Sequence, residues 1–324
     1  MTNNPLNIQI IEPKKQTKLF GFKYYFHLFT KLYENNRLPS SILLSGQKGL
    51  GKSTFIYHFI NYLLSQDEKE NYSVKNNIIS AKNSTFNLIK EGAHPNFFLI
   101  DRFVSENDIK IEQSRNLLKF LNKTTYGKDI KIVLIDNAER LNINAANALL
   151  KALEEPPNNT YFFIIQNDAS KVIDTIKSRC LTFNIYFCIN EKKKIFNNII
   201  DDYDININEA SLNKFLYFDT HGNILNYLIF LKDLNINTSK DFMKSILFFI
   251  DTYNKKKDSN ILNLIFLFIE IFYTELSLKF GYKINSYFNN KNKILYLIRN
   301  ANKFNLDKKN MLYEINNIIQ NEAK

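Results

Sequence analysis

The sequence predicts an α/β domain, with a parallel sheet flanked by helices, followed by an all-α region. Up to about residue 185, short apolar runs alternate with longer runs of helical spacing, which is typical of a parallel sheet. A glycine-rich loop joins the first apolar run to the next helical run. After about residue 188 only helical spacing remains. We therefore expect an α/β domain over residues 1–187, a small helical domain over 188–238 and a second helical domain over 239–324.

Each predicted element follows from a local pattern. The apolar runs expected to form strands are 42–44, 96–100, 131–135, 161–165 and 181–185. Helical spacing predicts helices at about 21–35, 52–65, 109–122, 143–154 and 170–177, and further helices at 208–217 and 222–233. Pro156 and Pro157 end the helix at 143–154, because proline cannot continue a helix. Asn190 is a candidate N-cap for the first helix of the second domain.

The bulk composition restricts the class of protein. The net charge of +11 and the pI near 9.3 fit a polyanionic partner such as DNA, although a lysine-rich composition is weak support. Cys180 and Cys188 are too few for a four-ligand zinc site or a disulfide framework, so we expect a reducing, cytoplasmic setting. The N-terminus lacks the pattern of a signal peptide. The apolar run 261–273 is interrupted by Asn263 and Glu270, so we expect a buried helix and no membrane association.

The glycine-rich loop at residues 46–53, GQKGLGKS, matches the phosphate-binding pattern G-x-x-x-x-G-K-[ST] between a strand and a helix. Its glycines let the backbone wrap closely around phosphate oxygens, and its N–H groups attract the anion. Lys52 is predicted to reach the β- and γ-phosphates and the Ser53 hydroxyl to hold Mg²⁺. A glycine-rich turn without a ligand is the alternative interpretation. The residues expected to contact nucleotide are Gly46, Gly49, Gly51, Lys52, Ser53 and Thr54.

A second nucleotide-binding signal is the apolar run 131–135, which is followed by Asp136. An aspartate at the end of an apolar strand positions Mg²⁺ in many P-loop proteins. This pattern is weak alone and becomes specific beside a complete phosphate-binding loop. We therefore expect Asp136 to contact the nucleotide site, and Ser53 and Asp136 to hold Mg²⁺ with bound ATP or ADP.

Two more stretches, NALLKALEEPP at 147–157 and SRC at 178–180, resemble the bacterial clamp-loader AAA+ subunits. Within that family, other stretches are more similar to the delta-prime branch than to the gamma/tau branch: 19–22, 36–46, 94–95 and 109–115. The resemblance is specific over about residues 19–185 and only architectural beyond them. It implies an AAA+ P-loop domain, an all-α lid and an all-α C-terminal collar for the three predicted domains.

The resemblance also assigns roles to single residues. It implies that Arg179 acts in trans, as an arginine finger on the ATP of a neighbouring subunit. Asn137 stands where AAA+ ATPases usually carry the glutamate that activates water, and an amide cannot accept that proton as a carboxylate does. Glu139, two positions further on, is expected to point elsewhere. Leu225 or Asn226 stands where a second-sensor arginine is common, so nucleotide binding is favoured over turnover.

Three further comparisons with the family concern its sensor, its histidine and its zinc. The first-sensor position falls near Gln166 and Asn167, in a register that the sequence leaves open. Phe22 stands where a histidine is common. The cysteines of the zinc module found in many members are missing, so no zinc is expected.

The implied partners are the gamma/tau and delta clamp-loader subunits, and through the complex the β sliding clamp and primed DNA. The chain then belongs to a DNA-directed DNA polymerase (nucleotidyltransferase) only as part of a holoenzyme, and its own ATPase activity is expected to be weak or absent. Three alternatives stay open. One is a gamma/tau-type ATPase motor subunit of the same complex, and another is an unrelated P-loop NTPase such as a small-molecule kinase. The third is a purely structural scaffold with a vestigial phosphate loop.

Overall fold

The computed structural model describes residues 10–102, 108–127, 129–167, 172–203, 209–233, 242–304 and 306–321. The chain divides into two compact units, one within Gln9–Asp204 and one that contains Ile205–Lys324. The division into domains at 187/188 and 238/239 stays a prediction. The second of these boundaries lies outside the described residues.

The first unit contains a parallel five-stranded sheet with the strand order β2-β3-β4-β1-β5. Its strands are β1 (Ser41–Gly46), β2 (Phe97–Ile100), β3 (Lys131–Ile135), β4 (Thr160–Asn167) and β5 (Leu181–Asn184). Every residue of β1 and β3 is buried, as expected for strands covered on both faces. The apolar runs therefore correspond to the observed strands.

Helices cover both faces of this sheet, and two hydrophobic clusters lie beneath them. Alternate residues of β1 point to opposite faces: Ile42 packs with Phe55 and Phe59, whereas Leu43 packs with Leu149. The helices of the unit are α1 (Lys23–Glu34), α2 (Lys52–Leu64), α3 (Ser84–Lys90), α4 (Ile111–Leu121), α5 (Ile143–Glu154), α6 (Asp174–Lys177) and α7 (Ile189–Asp202). The start of the helix predicted at 170–177 lies outside the described residues.

The described part of the second unit is helical. Its helices are α8 (Glu209–Phe218), α9 (His221–Asp233), α10 (Phe242–Lys256), α11 (Ser259–Lys279), α12 (Ile284–Lys303) and α13 (Lys308–Asn321). By length and composition, residues Asn260–Lys279 could cross a membrane, but half of the apolar window is buried inside the protein. Ile261, Ile265 and Phe268 are fully buried in the hydrophobic cluster of this unit, as in the core helix of a bundle. The predicted fold class, a parallel α/β domain followed by helices, is confirmed.

Candidate nucleotide-binding site

The loop between β1 and α2 has the backbone geometry that its glycines allow. Gly49 and Gly51 have φ values of 85° and 87°, a region that residues with side chains rarely adopt. At Gly46 the constraint is close packing, because a Cβ there would lie 2.5 Å from the carbonyl oxygen of Ile185. The positions predicted from the motif are therefore those where this loop requires glycine.

Lys52 lies in the mouth of this loop and is only 4% exposed. Its ammonium donates hydrogen bonds to the carbonyl oxygens of Gly46 and Gln47, the second at 2.8 Å. It also donates to Asn167 Oδ1 at 3.3 Å. These are the donors that the motif assigns to nucleotide phosphates. Thr54 lies half-buried in the first turn of α2, next to Ser53.

Ser53 and Asp136 meet where the phosphate loop faces the end of β3. The Ser53 hydroxyl donates to Asp136 Oδ2 at 2.7 Å. Burial of the carboxyl group raises the pKa of Asp136 to about 6; the nearby charges of Asp101 and Glu139 raise it too, and hydrogen bonds from Ser53 and the Asn137 N–H oppose the shift. Because burial makes the charged form of Asp136 costly, a cation that binds beside Asp136 and the Ser53 hydroxyl would stabilise that charge.

This donor set fits Mg²⁺ bound with a nucleotide. Mg²⁺ usually keeps several waters and takes one or two protein oxygens together with substrate phosphates. Among the residues that the structure describes, no group of three or more His, Cys, Asp or Glu side chains could hold a metal ion by itself. Ser53 and Asp136 are thus the residues that would hold Mg²⁺, with the phosphates completing its shell.

Asn137 bridges the ends of two strands. Its backbone is left-handed, with φ 54°, and its N–H donates to Asp136 Oδ1 at 2.8 Å. Its side-chain amide donates to Asp101 Oδ1, also at 2.8 Å. Asn137 therefore orders two carboxylates, and it offers no carboxylate of its own to activate water.

Glu139 does not point away from the site, so that prediction is wrong. Its Oε1 accepts a hydrogen bond from Asn167 Nδ2 at 2.6 Å, and Asn167 Oδ1 in turn faces Lys52. The orientation of the Asn167 amide is chemically determined, because an ammonium only donates and a carboxylate only accepts. Asn167 pairs in register with Gly46, whereas Gln166 turns away to donate to Ser45 Oγ at 3.2 Å. The register that the sequence left open therefore brings Asn167 to Lys52.

Phe22 adjoins the loop and lines an aromatic cleft that no motif in the sequence predicted. Phe22 is 2% exposed and left-handed, and its ring stacks on Phe55 at 4.8 Å. A Cβ added at Gly51 would lie 3.4 Å from that ring. Beside it is a cleft of about 1080 Å³ whose aromatic lining includes Tyr24, Tyr25, Phe183, Tyr186 and Phe187. The aromatic clusters at 24–26 and 186–187 were the signal in the sequence.

Arg179 lies far from this loop within its own chain. It comes two residues before β5, and Leu181 of β5 pairs with Ile42 near the start of β1. Because the strands are parallel and rise about 3.3 Å per residue, the level of Leu181 lies roughly 13 Å from the start of the phosphate loop at Gly46, and Arg179 comes before Leu181. The structure therefore does not bring Arg179 to the other predicted site residues.

An acidic partner holds the Arg179 side chain. The Nε of Arg179 donates to Glu154 Oε1 at 2.7 Å, its Nη2 also contacts Glu154, and its Nη1 donates to the carbonyl oxygen of Thr175 at 2.8 Å.

The two residues compared with the second-sensor arginine lie in α9 of the second unit. Leu225 is buried there and Asn226 is exposed.

The fold and the site together define a P-loop domain, in which the first strand of a parallel sheet leads through the phosphate-binding loop into a helix. Residues 23–187, just over half of the chain, match the protein family described as DNA polymerase III, delta subunit. The chain therefore belongs to this family of clamp-loader subunits.

Individual relatives agree with the family match. The chain is 35% identical to DNA polymerase III subunit delta-prime of Pseudomonas aeruginosa over 154 residues, 48% of this chain and 45% of that protein. It is 28% identical to the Escherichia coli delta-prime subunit over 155 residues, again 48% of this chain and 45% of that protein. The chain spans about half the length of these relatives.

Two other similarities extend further along the chain. A gamma subunit of Buchnera aphidicola is 29% identical over 245 residues, 72% of this chain and 64% of that protein. The crystal structure of a gamma subunit-related protein from Thermotoga maritima superposes with a TM-score of 0.46 at 15% identity, covering 91% of this chain and 99% of that one.

Proposed function

We propose that this chain is the delta-prime-type subunit of a cytoplasmic DNA polymerase III clamp loader. It supports ATP-dependent loading of the β sliding clamp onto primed DNA, with gamma/tau and delta subunits as its direct partners. The observation that carries the proposal is the match of residues 23–187 to the family, together with the delta-prime relatives at up to 35% identity. Any polymerase activity belongs to the holoenzyme and not to this chain.

The chemical contribution proposed for the chain is Arg179, acting on the ATP of a neighbouring subunit. Its place at the sheet edge opposite the phosphate loop supports action in trans, because it lies too far away to serve its own loop. Its side chain is 29% exposed, so part of the guanidinium faces solvent. An arginine that reaches a γ-phosphate stabilises the charge that develops there during phosphoryl transfer.

The phosphate loop of this chain is proposed to bind ATP or ADP with Mg²⁺ and to hydrolyse ATP weakly or not at all. Lys52, Ser53 and Asp136 supply the phosphate and Mg²⁺ contacts, and the aromatic cleft beside Phe22 offers room for a base. Asn137 has no carboxylate to act as the general base, and the Glu139 carboxylate that faces the site accepts a hydrogen bond from Asn167. No zinc is part of the proposal.

The test of the trans role is ATP turnover by the complex reconstituted from this chain, gamma/tau, delta, β clamp and primed DNA. We expect Arg179→Ala to lower turnover at the adjacent site at least about tenfold, since an arginine finger contributes up to several orders of magnitude. The matched control is Lys177→Ala, which removes the same charge from an exposed position two residues away. Equal turnover by Arg179→Ala and the unmodified complex would refute the proposal.

A second measurement separates the proposal from its alternatives. In the isolated chain, Lys52→Ala should abolish nucleotide binding measured by titration, whereas Lys48→Ala, at an exposed position of the same loop, should preserve it. In the complex, Lys52→Ala should affect clamp loading mildly. Brisk ATP turnover by the isolated chain, or collapse of clamp loading in Lys52→Ala, would instead support a gamma/tau-type motor. Activity on a small substrate without DNA or clamp would support an unrelated kinase.

A further inference from the structure

Glu154 and Arg179 form an ion pair between the end of α5 and the residues that follow α6. Glu154 Oε1 accepts hydrogen bonds from both Nε and Nη2 of Arg179. The Nη1 of Arg179 donates to the carbonyl oxygen of Thr175 at 2.8 Å and lies 3.4 Å from Ser178 Oγ. A guanidinium has five N–H groups, so this arrangement fixes its plane and still leaves an Nη2 N–H available.

The position of Glu154 in its helix is not explained by helix stability. It is the last residue of α5, and Pro156 and Pro157 follow within three residues. A carboxylate at a helix C-terminus is repelled by the negative end of the helix dipole. The ion pair is also partly exposed, with 29% and 48% of the two side chains accessible, and solvent-accessible pairs add little to stability.

We propose that Glu154 is a positioning residue for Arg179. It holds the partly exposed guanidinium in one orientation, so that a neighbouring subunit's phosphate meets a prearranged donor. This inference rests on the proposed trans role of Arg179. Glu154 itself touches no nucleotide in this proposal, and its whole effect passes through the arginine.

Two opposing effects of Glu154 must be separated. As an acceptor it fixes a long side chain that otherwise loses considerable rotamer freedom when it binds, which favours catalysis. As a negative charge it weakens the attraction of Arg179 for phosphate, which disfavours catalysis. Glu154→Gln removes the charge and keeps an oxygen that can accept from Nε, whereas Glu154→Ala removes both.

The experiment measures ATP turnover per assembled complex for Glu154→Ala, Glu154→Gln and the control Glu155→Ala. Glu155 is the adjacent exposed carboxylate. We expect Glu154→Ala to lower kcat about 5- to 30-fold, the rotamer freedom regained by a long side chain, with KM unchanged. Glu154→Gln should stay close to the unmodified complex, and Glu155→Ala should equal it. Assembly is followed by size-exclusion chromatography, and folding by circular dichroism.

A double variant shows whether the effect passes through the arginine. If Glu154 only positions Arg179, Glu154→Ala combined with Arg179→Ala should turn over as slowly as Arg179→Ala alone. A further loss in the double variant, an unchanged or raised kcat in Glu154→Ala, or equal losses in Glu154→Ala and Glu154→Gln would overturn the positioning role. Reduced turnover by Arg179→Ala with normal turnover by Glu154→Ala refutes this inference alone, whereas normal turnover by Arg179→Ala refutes the proposed function.

Discussion

Replacing Asp136 by asparagine should stabilise the nucleotide-free protein while removing the proposed Mg²⁺ ligand. The pKa of Asp136 is raised from 3.8 to about 6, with burial as the largest cause. A carboxyl group whose pKa is higher in the folded than in the unfolded chain destabilises the fold whenever it is ionised. Asparagine has nearly the shape of the protonated acid and can still accept from the Ser53 hydroxyl, which lies 2.7 Å from Asp136.

The expected gain in the free energy of unfolding follows from the shift in the pKa of Asp136. At about 1.36 kcal/mol per pKa unit, a rise from 3.8 to about 6 corresponds to at most about 3 kcal/mol. Because Asp136 as a residue is partly exposed and its surroundings can relax, we expect a gain of about 1 to 3 kcal/mol at pH 7.5. The folded state takes up its proton as the pH falls through about 6, so the gain is nearly complete at pH 7, roughly halved at pH 5 and lost below the unfolded value.

The assay is chemical unfolding of both proteins in EDTA, without nucleotide, at pH 7.5, 6 and 5. Asp108→Asn is the matched control, because it makes the same charge change at an exposed position of the same unit. Added Mg²⁺ and ATP should then stabilise the unmodified protein more than Asp136→Asn. Equal stability of Asp136→Asn and the unmodified protein at pH 7.5, or a difference that does not shrink toward pH 5, would refute the reasoning.

Two further predictions concern packing and a buried histidine. Gly46→Ala should lower the free energy of unfolding by about 1 to 3 kcal/mol, because its Cβ would lie 2.5 Å from the carbonyl oxygen of Ile185. The control is Gly281→Ala, whose Cβ would have nothing within 4 Å and should leave the stability unchanged. Thermal unfolding measures both variants. His58 is fully buried, and burial lowers its pKa from 6.5 to about 3. Below pH 6.5 His58 is protonated in the unfolded chain but stays neutral in the folded protein. The free energy of unfolding should therefore fall by about 2 kcal/mol by pH 5. His58→Gln should remove this slope and the exposed His27→Gln should keep it, and identical slopes in both would contradict the assignment.

The strands were predictable from the sequence because each is a local apolar run, and parallel pairing buries β1 and β3 completely. Helix α3 was not predicted, because its start depends on the fold around it. Asn83 accepts from the Phe86 N–H, and the distant Glu68 carboxylate accepts from the N–H groups of Ser84 and Thr85 at 2.8 and 2.9 Å. A helix capped from another part of the chain carries only a weak local pattern.

In the candidate site, too, some residues were predictable from the sequence and some contacts were not. The glycines, Lys52 and Ser53 were predictable because the loop is contiguous and its geometry demands those residue types. The contact between Glu139 and Asn167 joins residues 28 positions apart, and the pair of Glu154 and Arg179 joins residues 25 apart. Such contacts depend on strand register and helix ends, which no periodicity in the sequence encodes.

Burial distinguishes the two chemical elements of this chain. When a phosphate binds in the loop, the Lys52 ammonium must give up its hydrogen bonds to the carbonyl oxygens of Gly46 and Gln47. Lys52 and its hydrogen bond to Gly46 are buried. Leaving buried polar groups without partners is expensive unless the ligand satisfies them, so a phosphate that binds in this loop must offset this cost. The pair of Arg179 and Glu154 is solvent-accessible, and water can replace either partner with little loss of free energy. The proposed contact of Arg179 with a neighbouring phosphate therefore breaks less costly interactions than a phosphate contact of Lys52 in its own loop.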